Sequence, residues 1–351
     1  MSVSKTLMRK SFMIGARYSG IANLASPFLD GCGAIFMLHR VGTPPLESGI
    51  NGLLNVKGEF LQQLLSELKQ SGLLFVSMDE TIDRLKSGHR DEKFSTVTLD
   101  DGYRDNLQIA APIFNEMQVP YTIYTCTGFA SAKASLWWEI VGEIIDAQSQ
   151  ISLGTKDGIR EFTCKTRAEK QFTYNVVSNY LISQVDEIEQ RQLVAKLAKT
   201  YERDETAHNK NAVMNWDELR IAAKDPLCTI GAHTLNHFAL KRLSREDALH
   251  ECVESARILA DELGAKPRHF AYPYGGEIAV GERETEIAAE AGFSSAVTTR
   301  HGLLQPDHKS NLFALPRISL NGEYQRVHYV KTMLSGFTVP VANRGKRFVT
   351  V

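Results

Sequence analysis

Short apolar runs alternate with amphipathic stretches through most of this chain, and no other feature of the sequence limits its fold so tightly. Ala34-Ile35-Phe36-Met37-Leu38 is an unbroken apolar run of strand length. Phe60, Leu61, Leu64, Leu65 and Leu68 then recur at helical spacing and stop at Gly72. Leu74-Phe75-Val76 is strand-like, 79–85 reads as a short helix, and Thr96-Val97-Thr98-Leu99 is a strand that ends on Asp100-Asp101-Gly102. A helix over 105–117 turns Leu107, Ala110, Phe114 and Met117 towards a core, and 121–125 is strand again. Further on, strands are expected at Thr229-Ile230, 270–272, 295–297 and 315–320, with helices over 245–263 and 283–291. Ser244 and Asp247 mark the start of the first of these helices, and Gly264 its end. Such alternation builds a mostly parallel sheet, open or closed into a barrel.

Between Ser131 and Asn215 the alternation stops. Trp137-Trp138 opens one helical stretch, and Phe172, Val176, Tyr180, Ile188, Leu193 and Leu197 mark a second, longer one. Because strands of one sheet flank it, the segment reads as a helical insertion, about 131–215, and not as a separate domain. The five cysteines are scattered and never form a C-x-x-C pair, which points to reduced thiols and a cytoplasmic protein. A formal net charge of −1 gives the chain as a whole no electrostatic case for nucleic acid or an anionic membrane. The first 30 residues differ. Lys5, Arg9, Lys10 and Arg17 precede the first carboxylate, Asp30, so this segment reads as a basic amphipathic helix leading into the fold. Weak docking on a membrane surface through this basic N-terminus is the alternative reading. No apolar run approaches transmembrane length.

Two clusters sit where parallel α/β architectures place their chemistry, at the carboxyl ends of strands. Asp100 and Asp101 end one strand before a glycine that lets the chain turn, so both carboxylates can face one site; an Asp-Asp-Gly turn that merely ends the strand explains the same residues. His233 and His237 follow another strand at a four-residue spacing that brings two imidazoles to one side of a turn. One carboxylate and two imidazoles make a catalytic rather than a structural set for a divalent ion, which would acidify water and polarise a carbonyl. The remaining carboxylate is then free to take a proton.

These residues resemble a known family. Thr98-Leu99-Asp100-Asp101-Gly102 is similar to the T-F-D-D-G motif of the NodB-homology polysaccharide deacetylases, carbohydrate esterase family 4. Gly231-Ala232-His233-Thr234-Leu235-Asn236-His237 resembles that family's H-[ST]-x-x-H motif, and Phe270-Ala271-Tyr272-Pro273-Tyr274-Gly275 its third motif in an F-A-Y-P-Y-G form. The resemblance implies an α/β fold, a distorted (β/α)7-type barrel over 31–336 that includes the insertion, with 1–30 ahead of it and a tail over 337–351. It implies that Asp101, His233 and His237 hold a divalent ion, Zn2+ by preference and Co2+, Ni2+ or Mn2+ otherwise. It further implies that Asp100 is the general base and that the Tyr274 N–H helps hold an oxyanion.

The chain departs from the family twice. Ala271 stands where the family has an arginine that orients the base, and the late Leu-x-x-His motif that supplies the acid is missing from 312–320. Phe36-Met37-Leu38-His39-Arg40-Val41 instead resembles the Y-H-x-V element of a circularly permuted branch, which makes His39 the candidate acid and Arg317 the candidate replacement for the arginine. Against these stand a strand-end structural histidine and a surface ion pair. Trp137 and Trp138 stack on sugar rings or fill a core, and Tyr103 lines the groove or packs. His89, His250, His269, His301, His308 and His328 read as structural. The expected activity is hydrolysis of an N-acetyl group on an amino-sugar-containing saccharide. The alternatives are removal of a formyl or O-acetyl group at the same site, or a non-catalytic carbohydrate-binding descendant of the fold.

Overall fold

The structure, a computed structural model, describes residues 3–42, 50–88 and 92–351, so His89 lies outside the described residues. Seven parallel strands form its centre: β1 (Gly33–Leu38), β2 (Phe94–Leu99), β3 (Tyr121–Thr125), β4 (Cys228–Ala232), β5 (His269–Ala271), β6 (Ser295–His301) and β7 (Leu315–Ser319). They pair in the order β1-β7-β6-β5-β4-β3-β2, and β2 pairs back onto β1 from Gly33↔Phe94 to Leu38↔Leu99. The sheet is therefore closed, the barrel that strand-helix alternation allows. A short strand, Leu74–Phe75, adds to the start of β2 from outside.

Side-chain parity explains why apolar residues occur on both faces of the strands. Phe36, Leu38, Val97 and Leu99 turn outward and pack with helix residues such as Leu61, Leu64 and Phe114. Ile35, Phe94, Tyr124, Ala271, Val297 and Leu315 form a separate cluster with inward parity. Both faces are covered, as in all-parallel sheets. Because alternate residues share a face, His39 continues the inward row of β1 and Asp100 that of β2. The Leu38↔Leu99 register then sets these two side by side at the barrel's rim.

Three elements differ from what periodicity suggests. The insertion is not wholly helical: Gln150–Thr155 and Gly158–Thr163 form an antiparallel hairpin between its helices. Its longer helical stretch is two helices, Arg167–Ser183 and Glu187–Thr200, because Asp186 caps the second by accepting from Glu189 N. The basic N-terminal segment is also two helices, Val3–Tyr18 and Ile21–Leu29, parted at Gly20 with φ 78°. The helix after Asp101 begins with a π-turn over Asn106–Ala110, and the Asn106 side-chain amide donates to His39 O. At the C-terminus, Thr338–Ala342 is a helix and Val349 is buried, its carbonyl 2.9 Å from His308 Nε2. Among the described residues no helix is long and apolar enough to cross a membrane.

Candidate active site

The carboxyl ends of β1, β2, β4 and β5 open into a cavity of about 800 Å³, lined in part by His39, Asp100, Asp101, His233, His237 and Tyr274. That is the size of a small-molecule site. Among the described residues, four of the eight non-glycine residues with positive φ are at or beside this rim: Asp101 (74°), Thr234 (63°), His237 (57°) and Tyr274 (60°). Such conformations cost of order 1–3 kcal/mol each and persist where the surroundings over-determine them. The surroundings here do so. Gly102, with φ 72°, could carry no Cβ, because the atom would lie 2.2 Å from Thr125 Oγ1. Thr234 Oγ1 accepts from His237 N, and Thr299 Oγ1 donates to Tyr274 O. A Gly275 N–H···O=C Pro273 bond closes a tight turn centred on Tyr274.

Asp101, His233 and His237 each turn one ligand atom to a common point, the three atoms lying within 4.8 Å of one another. Asp101 Oδ1 is 3.4 Å from His233 Nε2 and 3.3 Å from His237 Nε2. Oxygen and nitrogen ligands about 2.0–2.1 Å from a tetrahedral zinc would be about 3.4 Å apart. Asp101 Oδ1 is buried and has no hydrogen-bond partner among the described residues. His233 Nδ1–H donates to Ala271 O at 2.7 Å, so in the neutral ring Nε2 is the atom that offers its lone pair to the common point. The His237 ring lies among Phe129, Trp138 and Tyr274, and burial pulls its pKa down to about 4, which leaves it neutral as a ligand must be. Burial would also lower His233, but the Asp101 and Asp100 carboxylates outweigh it and push His233 up. The donor set thus fits a divalent ion.

Asp100 is held differently. Arg317, 1% exposed, donates from Nη1 to Asp100 Oδ1 at 2.8 Å and from Nη2 to Oδ2 at 2.6 Å. Its Nε–H goes to Thr298 O, and Nη1 also reaches Thr98 Oγ1. Burial by itself would raise the Asp100 carboxyl, yet the charge and hydrogen bonds of Arg317, with His233 and His39 nearby, hold it below the usual carboxylate range. Arg317 is no surface residue. His39 is half-buried and faces the cavity with Asp100. Among the described residues the Tyr274 N–H has no hydrogen-bond partner.

His39, Asp100, Asp101, His233, His237 and Tyr274 thus share one cavity, with Arg317 on Asp100. Trp137 and Trp138 are buried and line the cavity as well, so packing and wall are one role; Trp137 Nε1–H donates to Tyr274 OH. Tyr103 packs, its hydroxyl donating to Glu139 and accepting from Trp138 Nε1. Two supporting residues escape a reading of the sequence. Glu251 accepts from Leu235 N, Asn236 N and Asn236 Nδ2, and Arg191 donates to the carbonyls of Asn236 and His237. Together they clamp the loop that carries both histidines. Glu251 had left a signal: with Ala248, Cys252, Ser255 and Leu259 it lies on a buried helix face, where a carboxylate is out of place without partners.

Barrel and site together define an α/β class to which known proteins can be compared. Residues 193–296, which include His233, His237 and Tyr274, match the family model described as polysaccharide deacetylase. The fold is similar to that of a Streptococcus pyogenes deacetylase, PplD, solved in complex with acetate, at 18% identity and TM-score 0.57 over 86% of this chain and 97% of that one. It is also similar to IcaB from Ammonifex degensii, at 18% identity and TM-score 0.53 over 87% and 97% of the two chains. A de-N-acetylase from Aggregatibacter actinomycetemcomitans gives 13% identity and TM-score 0.53 over 86% and 99%. No curated protein matches the sequence.

Proposed function

We propose that the protein is a metal-dependent hydrolase that removes N-acetyl groups from an amino-sugar-containing saccharide. The observation that carries this reading is the triangle of Asp101, His233 and His237, with an unpartnered carboxylate oxygen, beside a second carboxylate held ionised by Arg317. A divalent ion bound by the triangle, Zn2+ in the first place, supplies a Lewis acid that polarises the acyl carbonyl and acidifies water. Asp100 takes the proton of the attacking water, and Arg317 fixes its orientation and charge. The free N–H of Tyr274 donates to the carbonyl oxygen as negative charge grows there. His39, beside Asp100 at the rim, gives a proton to the departing amine. Asp101 binds and does not act as base, because both imidazoles converge on it.

The cavity wall favours a saccharide of more than one ring. Arg167, Gln171, Asn175, Ser178 and Ile182 line it from a single helix, a span of roughly 22 Å at the helical rise, with amide and hydroxyl groups suited to sugar hydroxyls. The Ser178 hydroxyl has no partner among the described residues. All five cysteines are free, which suits the reducing cytoplasm.

Acetate release from a panel of N-acetylated oligosaccharides, with and without chelator, tests the reading. Activity should vanish with chelator and return with Zn2+, Co2+, Ni2+ or Mn2+. Asp101→Ala, His233→Ala and His237→Ala should each lose most of the bound ion by elemental analysis. Unchanged metal content in all three variants, or acetate release indifferent to chelator, would overturn it.

A further inference from the structure

The helix Ile21–Leu29 contains no charged residue, and it presents its large side chains to solvent. Ile21, Leu24 and Phe28 lie three and four residues apart on one face, with Leu24 76% and Phe28 71% exposed, while Ala22 is buried. Met8, Phe12 and Tyr18 extend the exposed apolar surface along the preceding helix. Scattered exposed apolar residues are ordinary, but a continuous stripe marks an interaction site.

Charge is sorted to the two chain ends. Residues 1–29 contain Lys5, Arg9, Lys10 and Arg17, residues 324–351 contain Arg326, Lys331, Arg344, Lys346 and Arg347, and neither stretch holds a carboxylate. The other residues carry thirty-one cations against all forty-one carboxylates. The two ends are packed on one another: Phe12 and Phe337 stack with centroids 5.4 Å apart, and Lys10 lies over the Tyr324 ring. Carboxylates border it as well: Glu323 precedes Tyr324 and acts on it electrostatically. Glu67 pairs with Lys331, and Asp30 with Lys93. Arg344, Lys346 and Arg347 are exposed and make no ion pair among the described residues.

From this we infer that the paired chain ends form a docking surface for an anionic phospholipid bilayer. The apolar stripe enters the headgroup boundary while the cations beside it meet anionic lipid. A second copy of the chain suits the surface poorly, since a two-fold dimer would bring its cationic rims together. Lys10 also lines the catalytic cavity, so that cavity adjoins the docking surface.

Vesicle co-sedimentation of the full chain decides the matter, with phosphatidylcholine alone or with about one third phosphatidylglycerol. The protein should pellet with the anionic vesicles only, and less as salt rises. Leu24→Asp with Phe28→Asp should cut partitioning about tenfold or more. Arg344→Glu with Lys346→Glu and Arg347→Glu should abolish the preference for anionic lipid. Both variants should keep wild-type melting temperatures and activity on a soluble N-acetylated oligosaccharide. Equal pelleting with neutral lipid, no effect of the Leu24/Phe28 change, or a dimer that this change disperses in sedimentation velocity would each overturn the inference. Vesicle partitioning is read without any turnover, so it stands or falls apart from the proposed reaction.

Discussion

Arg317 spends its whole donor fork inside the barrel, on Asp100, Thr98 and the Thr298 carbonyl. A buried ion pair is a poor way to gain stability, because desolvation offsets most of the attraction. Its geometry is well suited to another purpose, since a two-pronged grip fixes both the plane and the charge of a carboxylate. Ala271 on β5 leaves space where the resembled family carries its arginine, and β7 delivers Arg317 to Asp100 from elsewhere in the closed sheet. Asp100→Asn should therefore retain the bound ion and lower turnover by about two to four orders of magnitude. Arg317→Ala strands a buried carboxylate and should cost about 3–5 kcal/mol in denaturant unfolding. If Asp100→Asn releases the ion while Asp101→Asn keeps it, the two carboxylates have the opposite roles.

At the scale of elements, the loop after β4 is held from two sides, by Glu251 of the helix Arg245–Leu263 and by Arg191 of the insertion helix Glu187–Thr200. Residues that orient metal ligands commonly change metal affinity 10- to 100-fold when removed. Glu251→Ala leaves three donors of that loop without their acceptor, and a loss of affinity in that range is expected from competition with a chelator. Unaltered affinity would mean that the loop holds its shape without the helix. What the sequence disclosed follows the same division. The strands were legible because each is a short, mostly buried run set between helical patterns, and the candidate ligands His233 and His237 because their spacing within one loop is local. Arg191 and Glu251 were not, since their partners lie 45 and 15 residues away and are backbone atoms with no identity of their own. The hairpin at 150–163 was missed because its second strand, Gly158–Thr163, is largely exposed and carries no apolar alternation. The Asp157-Gly158 pair was the signal available there.

Over the whole molecule, the insertion and the barrel are joined by buried charge. Arg40, just past β1, donates to Asp105 at 3.0 Å and to Glu139 of the insertion helix Trp137–Ala147 at 3.2 Å. His208, from the helix Glu205–Ala212, closes this chain with its Nδ1 3.0 Å from Glu143 and its Nε2 3.4 Å from Glu139. Burial would lower the imidazole, but the two carboxylates outweigh it and raise its pKa from 6.5 to about 9. A folded-state pKa above the unfolded one means that folding takes up a proton once pH exceeds the unfolded value. The stabilisation is then complete below about pH 6.5, falls as pH rises towards 9, and is gone above it. The shift limits it to about 3 kcal/mol, since one pKa unit corresponds to about 1.4 kcal/mol. His208→Gln should therefore be less stable than wild type by up to that amount at about pH 6, with the gap closing by about pH 9.5. Urea unfolding of both proteins at matched pH measures it. A gap that does not change with pH would mean that His208 contributes by packing alone, and that charge does not hold the insertion over the cavity.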